Sequence, residues 1–320
     1  MASAGLGGLA ARQPPPGVTY PLVLADAGPL EVRTASRGLA GMVLGVATFL
    51  VLTPLLTQLF LLLGWIAAGR PGEFAAYYAA GRAFETPVGM AATHLGLAVL
   101  IPIALALVLV VHHVHPRWLH SVQPGFRWRY ALGALLIAVV VLNAVMFLTG
   151  AGWTWQLRPQ ADFGWFLLVI VVTSPLQAAA EEYFFRGYLL QSLQSVLRLP
   201  WAGVVASALV FALFHGTQNL PLFLDRFGFG LLAGFLAVRT GGLEAGIAAH
   251  VANNIFAFLW AGLTSTIATV RAVQVIGWWE LATDLLGFGL FAAAAIWLAR
   301  PDAAGHHHHP GVSLMGDRPV

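Results

Sequence analysis

The chain has 320 residues, 59% of them hydrophobic and only 9% charged, with a formal net charge of +3. A soluble domain carries roughly 25% charged residues, so this much apolar surface cannot be hidden in one core, and lipid must be the solvent for much of it. With 0 Cys, disulfide frameworks and cysteine-based zinc or redox sites are excluded. The basic residues are all arginine, scattered along the loops, which gives no concentrated face for nucleic acid.

Residues 1–39 hold the run Pro14, Pro15 and Pro16 and several glycines, without a basic stretch leading into an apolar core. No cleavable signal peptide is expected there. The segment reads as a disordered, non-membrane tail with a short ordered piece near Val18 to Leu24. From residue 40 the chain becomes a series of apolar runs. A membrane-spanning helix needs about 20 mostly apolar residues, and eight segments qualify: Gly41–Ile66, Val88–Val111, Tyr130–Gly150, Phe163–Ala180, Trp201–His215, Leu222–Val238, Leu243–Thr264 and Trp278–Leu298. The fifth and sixth are short and punctuated by glycine, so seven is the alternative count. The fold class is therefore all-α, a polytopic membrane helical bundle. Trp65, Trp128, Tyr130, Trp153, Trp201, Trp278 and Trp279 mark segment ends, where amphipathic rings favour the headgroup zone.

Arginine asymmetry sets the orientation. With the N-terminus cytoplasmic, Arg33, Arg37, Arg117, Arg127, Arg129, Arg198, Arg239 and Arg300 fall inside, whereas Arg70, Arg82, Arg158, Arg226 and Arg271 fall outside. The expectation is an integral protein of a bacterial plasma membrane with both termini cytoplasmic. The tail 301–320 is read as disordered, and its run His306–His309 is a weak candidate for metal binding.

An ionisable group at bilayer depth costs about 2.5–3.5 kcal/mol on insertion scales and usually faces a cavity. Three groups stand out. The first is Glu181-Glu182-Tyr183-Phe184-Phe185-Arg186, after the apolar run that ends Gln177-Ala178-Ala179-Ala180. On a regular helix adjacent carboxylates point about 100° apart. Glu182 and Arg186 meet at i, i+4, which leaves Glu181 without a local partner and suited to act as a general base. The second is His215, closing an apolar helix on the face of Phe211, with Gly216 as the C-cap. The third is His250 with Asn254, at i, i+4 on one helix. The turn Leu197-Arg198-Leu199-Pro200 puts Glu181 and His215 side by side, each roughly 25 Å from its tip. Gly230 and Gly234 form a small-xxx-small pair that lets helices approach. His94 reads as a satisfied interhelical contact, and Asp284 as a partner for arginine or for a water-lined groove.

In order, the three groups resemble the CPBP (CAAX protease and bacteriocin-processing) intramembrane endopeptidases: E-E-x-x-x-R, then F-x-x-x-H, then H-x-x-x-N. The resemblance runs from about Ser174 to Phe258. Residues 1–160 carry no motif of that family; the apolar pattern divides the chain into tail 1–39, N-terminal transmembrane helices over 40–160, a last transmembrane helix over 267–300 and tail 301–320, and the resemblance makes 161–266 the catalytic core. It also implies hydrolysis of a peptide bond in a membrane-associated protein or peptide, CAAX-like substrates included. Glu181 would be the base, Glu181 and His215 would hold the attacking water, and His250 and Asn254 would steady the oxyanion. Glu182 and Arg186 would be structural supports. Membrane lipid and a membrane-associated protein or peptide are the implied partners, with no nucleic acid. Either no cofactor is required, or a divalent metal such as Zn²⁺ sits on Glu181, His215 and His250. A proton or cation relay in a transporter, and a non-catalytic scaffold or immunity protein, are the alternatives.

Overall fold

The computed structural model describes residues 13–14, 17–25, 32–123, 125–150, 156–199 and 201–300. The His306–His309 run, Trp153, Pro200 and most of the two tails lie outside the described residues. Among the described residues the chain is all-helical, with one isolated bridge between Ser121 and Gly242 and no strand.

The helices are α1 (Val32–Ala67), α2 (Phe74–Arg82), α3 (Pro87–Ala98), α4 (Leu100–Val110), α5 (Arg117–His120), α6 (Trp128–Leu148), α7 (Phe163–Glu181), a π-helical segment (Glu182–Leu189), α8 (Leu190–Leu197), α9 (Ala202–Leu213), α10 (Leu220–Thr240), α11 (Glu244–Thr264), α12 (Ile267–Ala272) and α13 (Trp278–Leu298). Among the described residues, seven helices or continuous helix runs are long and apolar enough to cross a membrane. In two of them the spans are composite: α3 with α4, and α7 through the π-helical segment into α8. The eighth apolar segment is α9, which at 12 residues is about 18 Å long, well short of a hydrocarbon core of about 30 Å. Leucines and valines such as Leu55, Leu132, Leu136 and Val171 point outward, as lipid-facing residues do, and the exposed Trp128, Trp278, Trp279 and Trp297 stand at helix ends.

Loop hydrogen bonds define two faces. On one, Val122 N donates to Gly241 O (2.8 Å) and Leu243 N to His120 O (3.0 Å). On the other, Arg158 N donates to Leu263 O (2.7 Å) and Asn219 N to Gln274 O (2.9 Å). The first face also receives Tyr20, whose hydroxyl donates to Leu119 O at 2.7 Å and which is 1% exposed. Tyr20–Leu22 is a short 3₁₀ turn packed with Val23 and Leu24 against Leu119 and Leu243. A short ordered piece near Val18 to Leu24 is expected within the segment 1–39, and the structure has an ordered segment there. Tyr20–Leu24 is buried in the bundle, because an aromatic ring and two aliphatic side chains find an apolar seat there. Helix α1 begins at Val32, inside the segment read as tail, with the mostly polar turn Arg33–Arg37 continuing the apolar helix N-terminally.

Helix α11 packs on α6, α7 and α10, and α10 packs on α9 and α13. Close approach of α9 and α10 needs glycine. A Cβ at Gly230 would stand 2.9 Å from Ala208 Cβ, and one at Gly234 would stand 2.8 Å from Val204 Cγ1.

Candidate functional site

Helix α7 ends at Glu181, and the π-helical segment begins at Glu182. The two carboxylates therefore straddle a change of helical pitch rather than sit on one regular helix, and π-type insertions often mark functional sites. Glu182 and Arg186 are each 0% exposed, with Arg186 Nη1 3.1 Å from Glu182 Oε1. The Arg186 guanidinium also lies 4.0 Å over the Phe211 ring and 5.3 Å over Phe229, a cation–π arrangement in a dry setting. Gly246 on α11 makes room for this pair, since a Cβ there would come to 3.0 Å from Glu182 Oε2.

Glu182 has a second duty that the sequence did not show: its Oε1 accepts a hydrogen bond from His250 Nδ1 at 2.9 Å. That bond fixes the ring and directs Nε2 towards Glu181, whose Oε2 lies 3.6 Å away, beyond a direct hydrogen bond. Glu181 is not without a local partner, which corrects the expectation: Gln177 Nε2, one turn earlier, donates to Glu181 Oε1 at 2.7 Å. Gln177 Oε1 in turn accepts from Asn254 Nδ2 at 2.8 Å. A continuous polar chain thus runs Asn254–Gln177–Glu181–His250–Glu182–Arg186. Five of its six residues were singled out in the sequence. Gln177 was not, although its i, i+4 spacing to Glu181 was readable.

His215 stands at the edge of this chain. Its Nδ1 bonds to Phe211 O at 2.8 Å, and the Phe211 ring centroid lies 4.6 Å from His215 and 6.2 Å from His250, so the phenyl ring is shared between the two imidazoles. The C-cap of α9 is Phe214, not Gly216; Gly216 follows at φ +80°, a left-handed turn that suits glycine. His215, Gly216 and Thr217 are exposed at this turn. The other side is closed by the buried cluster of Tyr20, Leu24, Leu119, Tyr183 and Leu243. The site therefore opens away from Tyr20.

Among the described residues, no group of three or more His, Cys, Asp or Glu side chains stands close enough together to hold a metal ion. Of the residues Glu181, His215 and His250, Glu181 and His250 are neighbours, and His215 is reached from His250 across the Phe211 ring. His94 is satisfied by Thr173, with Nδ1 and Oγ1 2.8 Å apart. Asp284 lines a cleft of about 450 Å³ between α6, α11 and α13, with Asn143, Asn253, Trp260 and Glu280.

Residues 163–256 match the family described as Type II CAAX prenyl endopeptidase Rce1-like. Residues 163–256 are Rce1-like. The Rce1-like stretch takes in α7, the π-helical segment and every member of the polar chain, and it overlaps the sequence resemblance from Ser174 to Phe258. A curated relative, the uncharacterized protein YyaK of Bacillus subtilis (strain 168), is 25% identical over 177 residues, covering 51% of this chain and 58% of its own length. The match thus spans less than two thirds of that relative. No solved structure matches the chain. The protein is an integral membrane protein with an Rce1-like segment over residues 163–256.

Proposed function

We propose that the protein is an intramembrane endopeptidase that hydrolyses a peptide bond of a membrane-associated protein or peptide with a water activated by Glu181. The observation that carries this reading is the polar chain. It holds one carboxylate, Glu181, between an amide and an imidazole while the neighbouring carboxylate, Glu182, is consumed by structure.

Hydrolysis needs a base, a water and donors aimed at the developing negative oxygen. Glu181 is the base and, with His215, holds the water. Gln177 occupies Glu181 Oε1 and leaves Oε2 for that water. His250, with Nδ1 anchored on Glu182, presents Nε2 to the reacting carbonyl and donates from it when the ring carries its second proton. Asn254 uses one amide hydrogen on Gln177 and has the other for the oxyanion, a contribution of about 2.7–4 kcal/mol for an asparagine in such a position. Glu182 and Arg186 are supports, and Gln177 is a positioning residue.

The arginine distribution favours both termini in the cytoplasm, so that the mouth beside Thr217 opens to the opposite compartment. The test compares the C-terminal ends of membrane proteins in cells carrying wild type and Glu181→Gln at matched expression. New ends that depend on Glu181 are the expected result; identical sets of ends would overturn the reading.

A further inference from the structure

Helix α6 packs on both α11 and α13, whereas α11 and α13 touch each other little. The gap between them is the cleft of about 450 Å³ that Asp284 lines. Along α11 its lining descends from Thr264 to Ala252, roughly 18 Å. Leu142 and Val145 of α6 and Phe288 of α13 give it apolar walls.

The charge on this cleft has one sign. Glu280 and Asp284 stand one turn apart on the same face of α13, a spacing at which like charges repel. Asp284 is within electrostatic range of Glu280 and of Asp225 on α10, and Asp225 Oδ1 is buried without a hydrogen bond. Neither the Glu280 nor the Asp284 side chain forms a hydrogen bond or salt bridge among the described residues. None of the described residues lining the cleft is basic. The lining also holds Trp260, whose Nε1 donates to Asn143 Oδ1 at 3.0 Å and so fixes the indole. Carboxylates together with an indole ring are complementary to an ammonium group.

A small soluble amine would fill only the part of the cleft near the carboxylates. The mouth lies where α6 and α11 end and α13 begins, with Trp278 and Trp279 exposed beside it as at a headgroup boundary. The apolar walls continue from there towards the middle of the bilayer, which suits a chain of methylenes.

We propose that the cleft binds one aminophospholipid, with its ammonium group among Glu280, Asp284 and the Trp260 ring and an acyl chain along Leu142, Val145 and Phe288. The phosphate stays at the surface near the exposed Arg158, whose N donates to Leu263 O at 2.7 Å. Asn253 lines the deeper part and donates from Nδ2 to Asn254 Oδ1 at 3.4 Å, so the cleft and the polar chain share a wall. Lipid binding here does not require Glu181 to be a base, and it stands apart from the protease reading.

The test uses the full chain, delipidated in detergent and titrated with dioleoylphosphatidylethanolamine or with its N-acetyl derivative, which lacks the positive charge. Native mass spectrometry counts the bound lipids. The first equivalent of the amine lipid is expected to bind about 10- to 100-fold more tightly than the acetylated one. Asp284→Asn removes most of that preference and leaves the affinity for the acetylated lipid unchanged, which also shows that the variant folds. Asp284→Glu keeps part of the preference. Equal binding of the two lipids by the wild type, full preference in Asp284→Asn, or an equal loss of both lipids in that variant overturns the proposal. So does displacement of the bound lipid by free glycerophosphoethanolamine as readily as by lysophosphatidylethanolamine, which would assign the carboxylates to a soluble amine.

Discussion

His250 is gripped by two consecutive carboxylates: its Nδ1 lies 2.9 Å from Glu182 Oε1 and its Nε2 lies 3.6 Å from Glu181 Oε2. One imidazole thus couples a wholly buried ion pair to the neighbouring carboxylate of Glu181. The division of labour between the two glutamates follows from this arrangement, and it can be separated by experiment.

Glu182→Ala is expected to unfold the core, and Glu181→Gln is not. Removing Glu182 leaves Arg186 buried beside three phenyl rings with no counter-charge, and breaking a buried pair in this way costs about 3–5 kcal/mol. In Glu181→Gln the side-chain carbonyl still accepts the bond from Gln177, so the loss is about 1 kcal/mol or less. Melting curves of the three proteins in one detergent check this; equal Tm values for Glu182→Ala and wild type would contradict it.

Gln177→Leu is expected to lower activity by about 10- to 100-fold, corresponding to one charge-assisted hydrogen bond of roughly 1.5–3 kcal/mol. Both of its bonds vanish together: the one that orients Glu181 and the one that anchors Asn254. Because the residue acts through others, the loss belongs in kcat, with KM nearly unchanged. Initial rates over a range of substrate concentrations would reveal the split.

The opening of the site has a definite side. The chain has 0 Cys, so a single introduced thiol reports its own location. Thr217→Cys, at the mouth, should react with a membrane-impermeant maleimide in intact cells. His115→Cys, on the Tyr20 face, should react only after lysis. The reverse pattern would place the termini outside.

Stability should fall in mild acid through His120, which lies in the loop region on the Tyr20 face and contacts the Tyr183 hydroxyl. Burial lowers its pKa, Glu244 opposes that and His115 adds to it. Unfolded, the ring takes its proton near pH 6.5 or so; folded, it does so at lower pH. Between the two the unfolded state binds more protons, so the contribution is fully present above about pH 6.5 and is lost as the pH drops towards the folded pKa. His120→Gln should flatten the dependence of Tm on pH between about 7.5 and 5, and an unchanged slope would rule His120 out as its source.

Much of this arrangement was readable in the amino-acid order, and the rest was hidden for identifiable reasons. The spans could be read because bilayer thickness imposes a length on apolar runs, and Glu182–Arg186 because opposite charges at i, i+4 announce themselves. Gln177 and Glu181 have the same spacing, but a neutral amide among apolar residues carries no comparable signal, and its bond to Asn254 joins helices 77 residues apart. The pitch change after Glu181 has no local marker either; it lets Glu182 turn inward to both Arg186 and His250. His94 in contact with Thr173 matches its reading as an interhelical contact, and Asp284 lines a cleft as one of its two readings held. Helices α2 and α12 were not anticipated, because nine and six residues are too short to show a period. The seat of Tyr20 depends on a pocket made by α5, α8 and α10, which no window around residue 20 contains.

The central claim is that Glu181 activates the hydrolytic water. Purified protein in nanodiscs, incubated with a membrane-anchored peptide that the wild type cleaves, measures this most directly when wild type and Glu181→Gln are compared at equal folded concentration. The account predicts product from the wild type and none above background from Glu181→Gln, with matching melting curves. Cleavage by Glu181→Gln at the wild-type rate would contradict it.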